Sequence, residues 1–196
     1  MDLLNEIRNY YKTGIFPKQA FDEAYRLFEA FSNEDLMEEN DVERDDVLQK
    51  IKNDRFIVND YDSFFANLYA GKRNAYLSRY TPQEFAENKV KTFQLEGYPI
   101  GFALKPDKDG IDIISVHNNS GVRGIGDELI DAAVRHGGTK LDHYDGFLSD
   151  LYDRHGFKEV ARFQWDDKYV PRDEEGNVLW NYERDGRPDV VYRVRK

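Results

Sequence analysis

Two short runs decide how this chain reads: His117-Asn-Asn-Ser-Gly-Val-Arg-Gly-Ile-Gly126 and, further on, Leu151-Tyr-Asp-Arg-His-Gly-Phe157. The first sets glycines at 121, 124 and 126 directly ahead of an apolar pattern at helical spacing: Ile125, Leu129, Ile130, Ala133 and Val134. A helix N-terminus offers unpaired N–H groups and a partial positive charge of about half an electron. Glycines ahead of it let the backbone approach a ligand closely and take conformations that a Cβ forbids. Such a loop suits a phosphate. Gly137-Gly138 ends the predicted helix.

Working back from this loop, the periodicity is two. Ile111-Asp-Ile-Ile-Ser-Val116 is β-branched and reads as a strand. Before it, Thr92–Leu95 and Pro99–Leu104 flank Glu96-Gly97, a pair suited to a hairpin turn, and Pro106–Gly110 is a second turn. The three strands form an antiparallel meander. Thr81-Pro-Gln-Glu84 predicts a helix start, with Thr81 as N-cap, Pro82 in the first turn and Glu84 completing a capping box. Tyr61, Phe64, Phe65, Leu68 and Tyr69 mark a helix that stops at Gly71, and Arg55–Val58 is a short strand.

Working forward, a short strand is expected at Lys140–Tyr144, a helix at Phe147–Arg154 and a strand at Phe157–Trp165. The polar loop Asp166–Asp189 then leads to a last strand at Val190–Val194. Residues 1–53 read as an acidic helical extension, with helical stripes at Leu3–Tyr11 and Phe21–Phe31 and a loop or linker at Asn33–Asp46. The domain proper spans residues 54–196.

Composition narrows the function. With 40% hydrophobic and 14% aromatic residues, the 196-residue chain can bury a core. It has no cysteine, so disulfides, thiolate metal sites and a cysteine nucleophile are absent. The histidines at 117, 136, 143 and 155 lack metal-ligand spacing, and no metal is expected. The net charge of −10 is uneven: residues 1–62 carry 16 acidic and 8 basic groups. Nonspecific nucleic-acid binding is therefore not expected. No signal peptide or membrane-spanning run is evident, which suggests a cytoplasmic location. A dinucleotide fingerprint would need a third glycine where Leu129 stands, and a P-loop would need Gly-Lys-Ser/Thr. Neither pattern is present.

The order of strand, glycine loop, helix, short strand, helix ending in Leu151–Phe157, and strand resembles the GNAT superfamily of N-acetyltransferases. Gly124-Ile-Gly126 matches the second half of that family's Arg/Gln-x-x-Gly-x-Gly/Ala loop, and Leu151, Tyr152, Gly156 and Phe157 match its Leu-Tyr-x-x-x-Gly-Phe signature. The resemblance is loose over residues 54–196 and close over 111–160. It implies an α/β (α+β) fold with a mixed, mostly antiparallel sheet flanked by helices, and acetyl-CoA as co-substrate for an amine acceptor of unspecified identity. The backbone of Gly121, Val122, Arg123, Gly124, Ile125 and Gly126 would cradle the pyrophosphate. Ser115, Val116 and His117, at the end of a strand that splays from its parallel neighbour, would pair with the pantetheine. Tyr152 matches the residue that protonates the leaving thiolate; the alternative is a half-buried tyrosine packing its helix on the sheet. A general base is sought among His117, Asp142 and His143.

Two positions depart from the pattern. Gly121 replaces the leading Arg/Gln, and Asp145 replaces a frequent Asn and would stand near an anionic cofactor. These departures and the acidic extension leave a second reading open: a GNAT-shaped binding module without catalysis. Trp180–Asp189 and Leu141-Asp-x-x-Asp-Gly146 also resemble GNAT-like proteins of bacteriophages.

Overall fold

The alternating segments build one seven-stranded sheet, and the 3.6-residue stripes cover both of its faces. The computed structural model describes residues 43–71, 77–173 and 175–196. The helices read at Leu3–Tyr11 and Phe21–Phe31 lie outside the described residues. The strands are β1 (Phe56–Val58), β2 (Lys91–Leu95), β3 (Ile100–Asp107), β4 (Gly110–Asn118), β5 (Lys140–Tyr144), β6 (Phe157–Phe163) and β7 (Val190–Arg195). Their order is β1-β2-β3-β4-β5-β7-β6. Every neighbouring pair is antiparallel except β4 and β5, which run parallel. This is the mixed, mostly antiparallel α/β architecture that the resemblance implies.

Residues 43–52 form helix α1. The expectation of a loop through Asp46 is corrected here: Val47 and Ile51, four residues apart, are fully buried in the main core, and Lys50 pairs with Asp46 along the exposed side. From Arg44 onward the helix belongs to the compact unit Arg44–Lys196. The remaining helices are α2 (Tyr61–Tyr69), α3 (Pro82–Glu87), α4 (Gly126–Arg135), α5 (Phe147–Arg154) and α6 (Tyr182–Asp185).

Both halves of the capping box at α3 are formed: Glu84 N–H donates to Thr81 Oγ1 (3.2 Å), and Thr81 N–H donates to Glu84 Oε2 (2.7 Å). Gly97 takes φ +80° in the β2–β3 hairpin, a region open to glycine at little cost. On one face of the sheet, α1, α4 and α5 enclose Phe93, Phe102, Ile113, Leu129, Ile130 and Phe157. On the other, α2 and α3 enclose Phe64, Phe65, Leu68 and Phe85 with Ala103 and Ile114. Truncating Leu129 or Ile130 to alanine would cost about 2–5 kcal/mol.

Candidate active site

The site begins with an irregularity in β4. Ala103 pairs with Ile114 and Gly101 with His117, so two residues of β4, Ser115 and Val116, stand opposite Phe102 alone. Ser115 takes φ +53°, a left-handed conformation uncommon outside glycine. This bulge inverts the facing of the strand. Ile113 and Val116 contact the α4 side, whereas Ile114 and His117 contact the α2 side.

His117 therefore turns into the α2 layer. It is 5% exposed, its ring meets Phe64 edge-on at 5.1 Å, and its Nδ1 lies 3.1 Å from the Ser115 carbonyl. That contact requires Nδ1–H to donate, leaving Nε2 bare. Nε2 and the Ser115 hydroxyl are both buried without a protein partner among the described residues. Burial pulls the His117 pKa down to about 4, with the Ser115 hydrogen bond opposing it.

β4 and β5 share one registered pair, Asp112 and Lys140, and then diverge. The divergence opens a cleft of about 1070 Å³ lined by Ser115, His117, Asp142, Tyr144 and Tyr152 among others. The expected strand end and the candidate acid thus meet at one cleft.

Beyond β4, Asn118 organises the loop. Its Nδ2 donates to the Val122 carbonyl, and its Oδ1 accepts from Ser120 N–H and Oγ–H. Gly121 and Gly124 have φ +91° and +74°. The N–H of Val122, expected in the cradle, donates instead to Ser120 Oγ (3.1 Å), because Ser120 is held by Asn118 within reach. Among the described residues, the N–H groups of Arg123, Gly124, Ile125 and Gly126 have no acceptor, and α4 has no side-chain cap. The acidic groups in its first turn are paired: Asp127 with Arg154 and His155, and Glu128 with Lys52. Arg44 of α1 runs beside Gly124, with its Cδ 3.8 Å from where a Cβ there would lie. No local pattern in the sequence marks Arg44 for this place.

Tyr152, on α5, is 7% exposed and lines the cleft, and no protein group hydrogen-bonds its hydroxyl among the described residues. Burial, with a contribution from Asp142, raises its pKa to about 12, and Arg193 opposes the rise. Its ring packs on His143 (4.9 Å) and Phe157 (6.1 Å). The donor and packing readings are thus compatible in one residue.

His143 has both nitrogens engaged. Nδ1 lies 2.7 Å from the Tyr144 carbonyl, and Nε2 accepts from Arg193 Nε–H at 2.9 Å. A base needs a lone pair aimed at its substrate, and His143 has none to offer. Asp142 projects from the opposite face of β5 and is exposed in the cleft, although protein surrounds it on most sides. This partial enclosure, reinforced by Asp112, raises its carboxyl above the usual range.

Asp145 is neutralised in place: Arg162 Nη1 sits 2.5 Å from Oδ2, and Ser149 donates to Oδ1. The Arg162 pairing, foremost, holds its carboxyl below the usual range. The long loop after β6 is pinned by Trp180, which is buried, packs on Tyr144 (4.7 Å) and Trp165 (4.8 Å), and donates to the Gly186 carbonyl. Its residues Pro171, Leu179 and Asp185 border the cleft. Among the described residues, no helix is long and apolar enough to cross a membrane.

No family model matches the chain, and no curated protein does. Three solved structures align with the chain at low identity. One is provisionally named a phosphinothricin N-acetyltransferase, with 15% identity and a TM-score of 0.46 over 72% of this chain and 96% of that one. The second is the ribosomal-protein-S18-alanine N-acetyltransferase of Escherichia coli, at 13% and 0.44 over 72% and 95%. The third is an agmatine N-acetyltransferase mutant, at 12% and 0.43 over 71% and 98%. The strand order, the parallel join at β4 and β5, and the glycine loop running into α4 give the described residues a GNAT-like fold.

Proposed function

We propose that the chain is an N-acetyltransferase that takes an acetyl group from acetyl-CoA and passes it to an amine. The observation that carries this reading is the divergence of β4 from β5 after one registered pair, leading straight to an uncapped helix N-terminus. The residues present fit the co-substrate. The unused N–H groups of Arg123–Gly126 would hold its pyrophosphate. The backbone of Ser115–His117, facing the gap, would pair with its pantetheine arm. When bound, acetyl-CoA supplies an activated thioester.

The chain's own residues then manage two protons. An incoming ammonium must lose one before it can attack. Asp142 is exposed in the cleft and its carboxyl is raised, so it is the better placed to take it. His117 is pulled to about 4 and enclosed beside Phe64, so it is a weak base that stays neutral and shapes the wall. As the new C–N bond forms and the C–S bond breaks, the Tyr152 hydroxyl, which has no protein partner among the described residues, donates its proton to the departing thiolate and is restored by the proton the acylated nitrogen sheds.

Isothermal titration with acetyl-CoA and with free CoA, followed by thiol release across a panel of amines, tests the reading. We expect one-site binding that is lost in Gly124→Val, where φ is +74°. Absence of binding at millimolar ligand would overturn it.

A further inference from the structure

Arg193, in the middle of β7, is 4% exposed, a rare depth for a guanidinium. A charge buried so far is tolerated only when it is well paired. Its Nη1 donates to Asp153 Oδ1 (2.8 Å) and to the Phe157 carbonyl (3.2 Å), and its Nε donates to His143 Nε2 (2.9 Å). The third bond is unusual because arginine can only donate. His143 Nε2 must therefore be bare, and its proton must sit on Nδ1, facing the Tyr144 carbonyl at 2.7 Å. A second proton on the ring would point an N–H at an N–H. The imidazole is held neutral, in one tautomer and one orientation.

That ring lies 4.9 Å from the ring of Tyr152. Asp153, the carboxylate that holds Arg193, is the next residue along α5. Arg193 thus grips the neighbourhood of Tyr152 twice: through the helix at Asp153 and through the His143 ring that walls the phenol.

We propose that Arg193 is a positioning residue for Tyr152, locking neutral His143 against the phenol and pinning α5 so that the hydroxyl stays aimed into the cleft. This rests on the reading of Tyr152 as proton donor. The charged and titratable groups that face His143 are Arg193 from β7, Arg162 from β6, Asp145 from the loop after β5 and Tyr152 from α5; Asp142 and Arg193 face Tyr152. Burial, foremost, and Arg193 both hold His143 below the ordinary histidine range, in keeping with the lock.

Nitrogen-15 NMR of the full chain, with His143 assigned through a His143→Gln variant, reads the tautomer directly. The expected result is Nδ1–H with a bare Nε2, and a ring that does not titrate within the ordinary histidine range. An Nε2–H tautomer, or titration in that range, overturns the proposal. In Arg193→Gln the ring is freed to titrate, an acid limb appears in the kcat–pH profile, and kcat falls roughly 10–100-fold while KM for acetyl-CoA changes less. Arg193→Lys, which keeps a charge and a donor, restores part of the loss. An Arg193→Gln protein with wild-type kcat and pH profile overturns the proposal. Should that variant not fold, the wild-type tautomer and the profile of Asp153→Asn decide. Tyr152→Phe separates this idea from its premise. If kcat falls in Arg193→Gln but not in Tyr152→Phe, the donor reading fails and this one with it. If it falls only in Tyr152→Phe, this one alone fails.

Discussion

Gly101 is where the sheet makes room for His117, and Gly101→Ala tests that packing. Gly101 on β3 pairs with His117 across the β4 bulge and with Gln94 on β2. A Cβ there would lie 2.5 Å from the Phe93 carbonyl oxygen, 3.0 Å from His117 Cε1 and 3.3 Å from Phe64 Cε2. Ordinary contact begins at 3.4 Å, so the first approach is 0.9 Å too short (3.4 less 2.5). The obstacle is backbone within a paired ladder, which cannot rotate away as a side chain would. Overpacking of this kind costs about 1–3 kcal/mol. Against it stands the lower chain entropy of unfolded alanine, worth about 0.4–1 kcal/mol. The difference spans about 0–2.6 kcal/mol, and the rigid backbone obstacle puts it in the upper part, about 1–2.6 kcal/mol, or a Tm lowered by about 2–10 °C for a domain of this size. Thermal unfolding followed by circular dichroism at pH 7 measures it, and the His117 Cε1–H resonance reports the displaced ring. A Tm equal to or above that of the parent would refute the packing argument.

Three further outcomes follow from the same geometry. Burial holds His117 near 4 when folded, against an ordinary value of 6.5, so the unfolded chain binds the extra proton first. Stability from this group is therefore complete above about pH 6.5 and is lost progressively as pH falls towards 4, by about 3 kcal/mol at most. Urea unfolding at pH 7 and pH 4.5 should show a smaller difference in His117→Gln than in the parent; an unchanged difference would place the titrating group elsewhere. Tyr152→Phe removes a hydroxyl with no protein partner among the described residues, so Tm should hold while kcat falls about 10²–10⁴-fold; an unaltered kcat would end its role as acid. Thr81→Ala breaks the capping box and should cost about 1 kcal/mol in urea unfolding, with acetyl-CoA affinity unchanged because α3 lies across the sheet from the glycine loop.

Much of the fold was legible because the rules that build it act between near neighbours in the chain. The capping box spans four residues, and the hairpin at Glu96-Gly97 needs only a glycine that accepts φ +80°. The apolar stripe of α4 repeats within two turns, and α5 was bounded at Phe147 and Arg154 as observed. The Gly124–Gly126 loop could be singled out for the same reason, as a local pattern with a chemical purpose, whereas Tyr152 stood out through the family resemblance. A different case is α1: the largely acidic stretch 43–46 reads as loop, yet it forms the first turn of the helix whose Val47 and Ile51 enter the main core.

Strict alternation along Ile111–Val116 predicts one face for Ile114 and Val116, yet the bulge at Ser115 sends them to opposite faces and carries His117 into the α2 layer. A bulge is a mismatch between two strands, and neither strand's sequence contains it alone. The same holds for β7, which inserts between β5 and β6 and brings Arg193 to His143, fifty residues away in the chain. By itself the sequence determined which segments are helix or strand within the described residues and where the glycine loop lies. Only the tertiary structure decided which histidine keeps a lone pair, which carboxylate is exposed in the cleft and which loop N–H is already spent, because hydrogen-bond partners and burial are set by elements the chain brings together from afar.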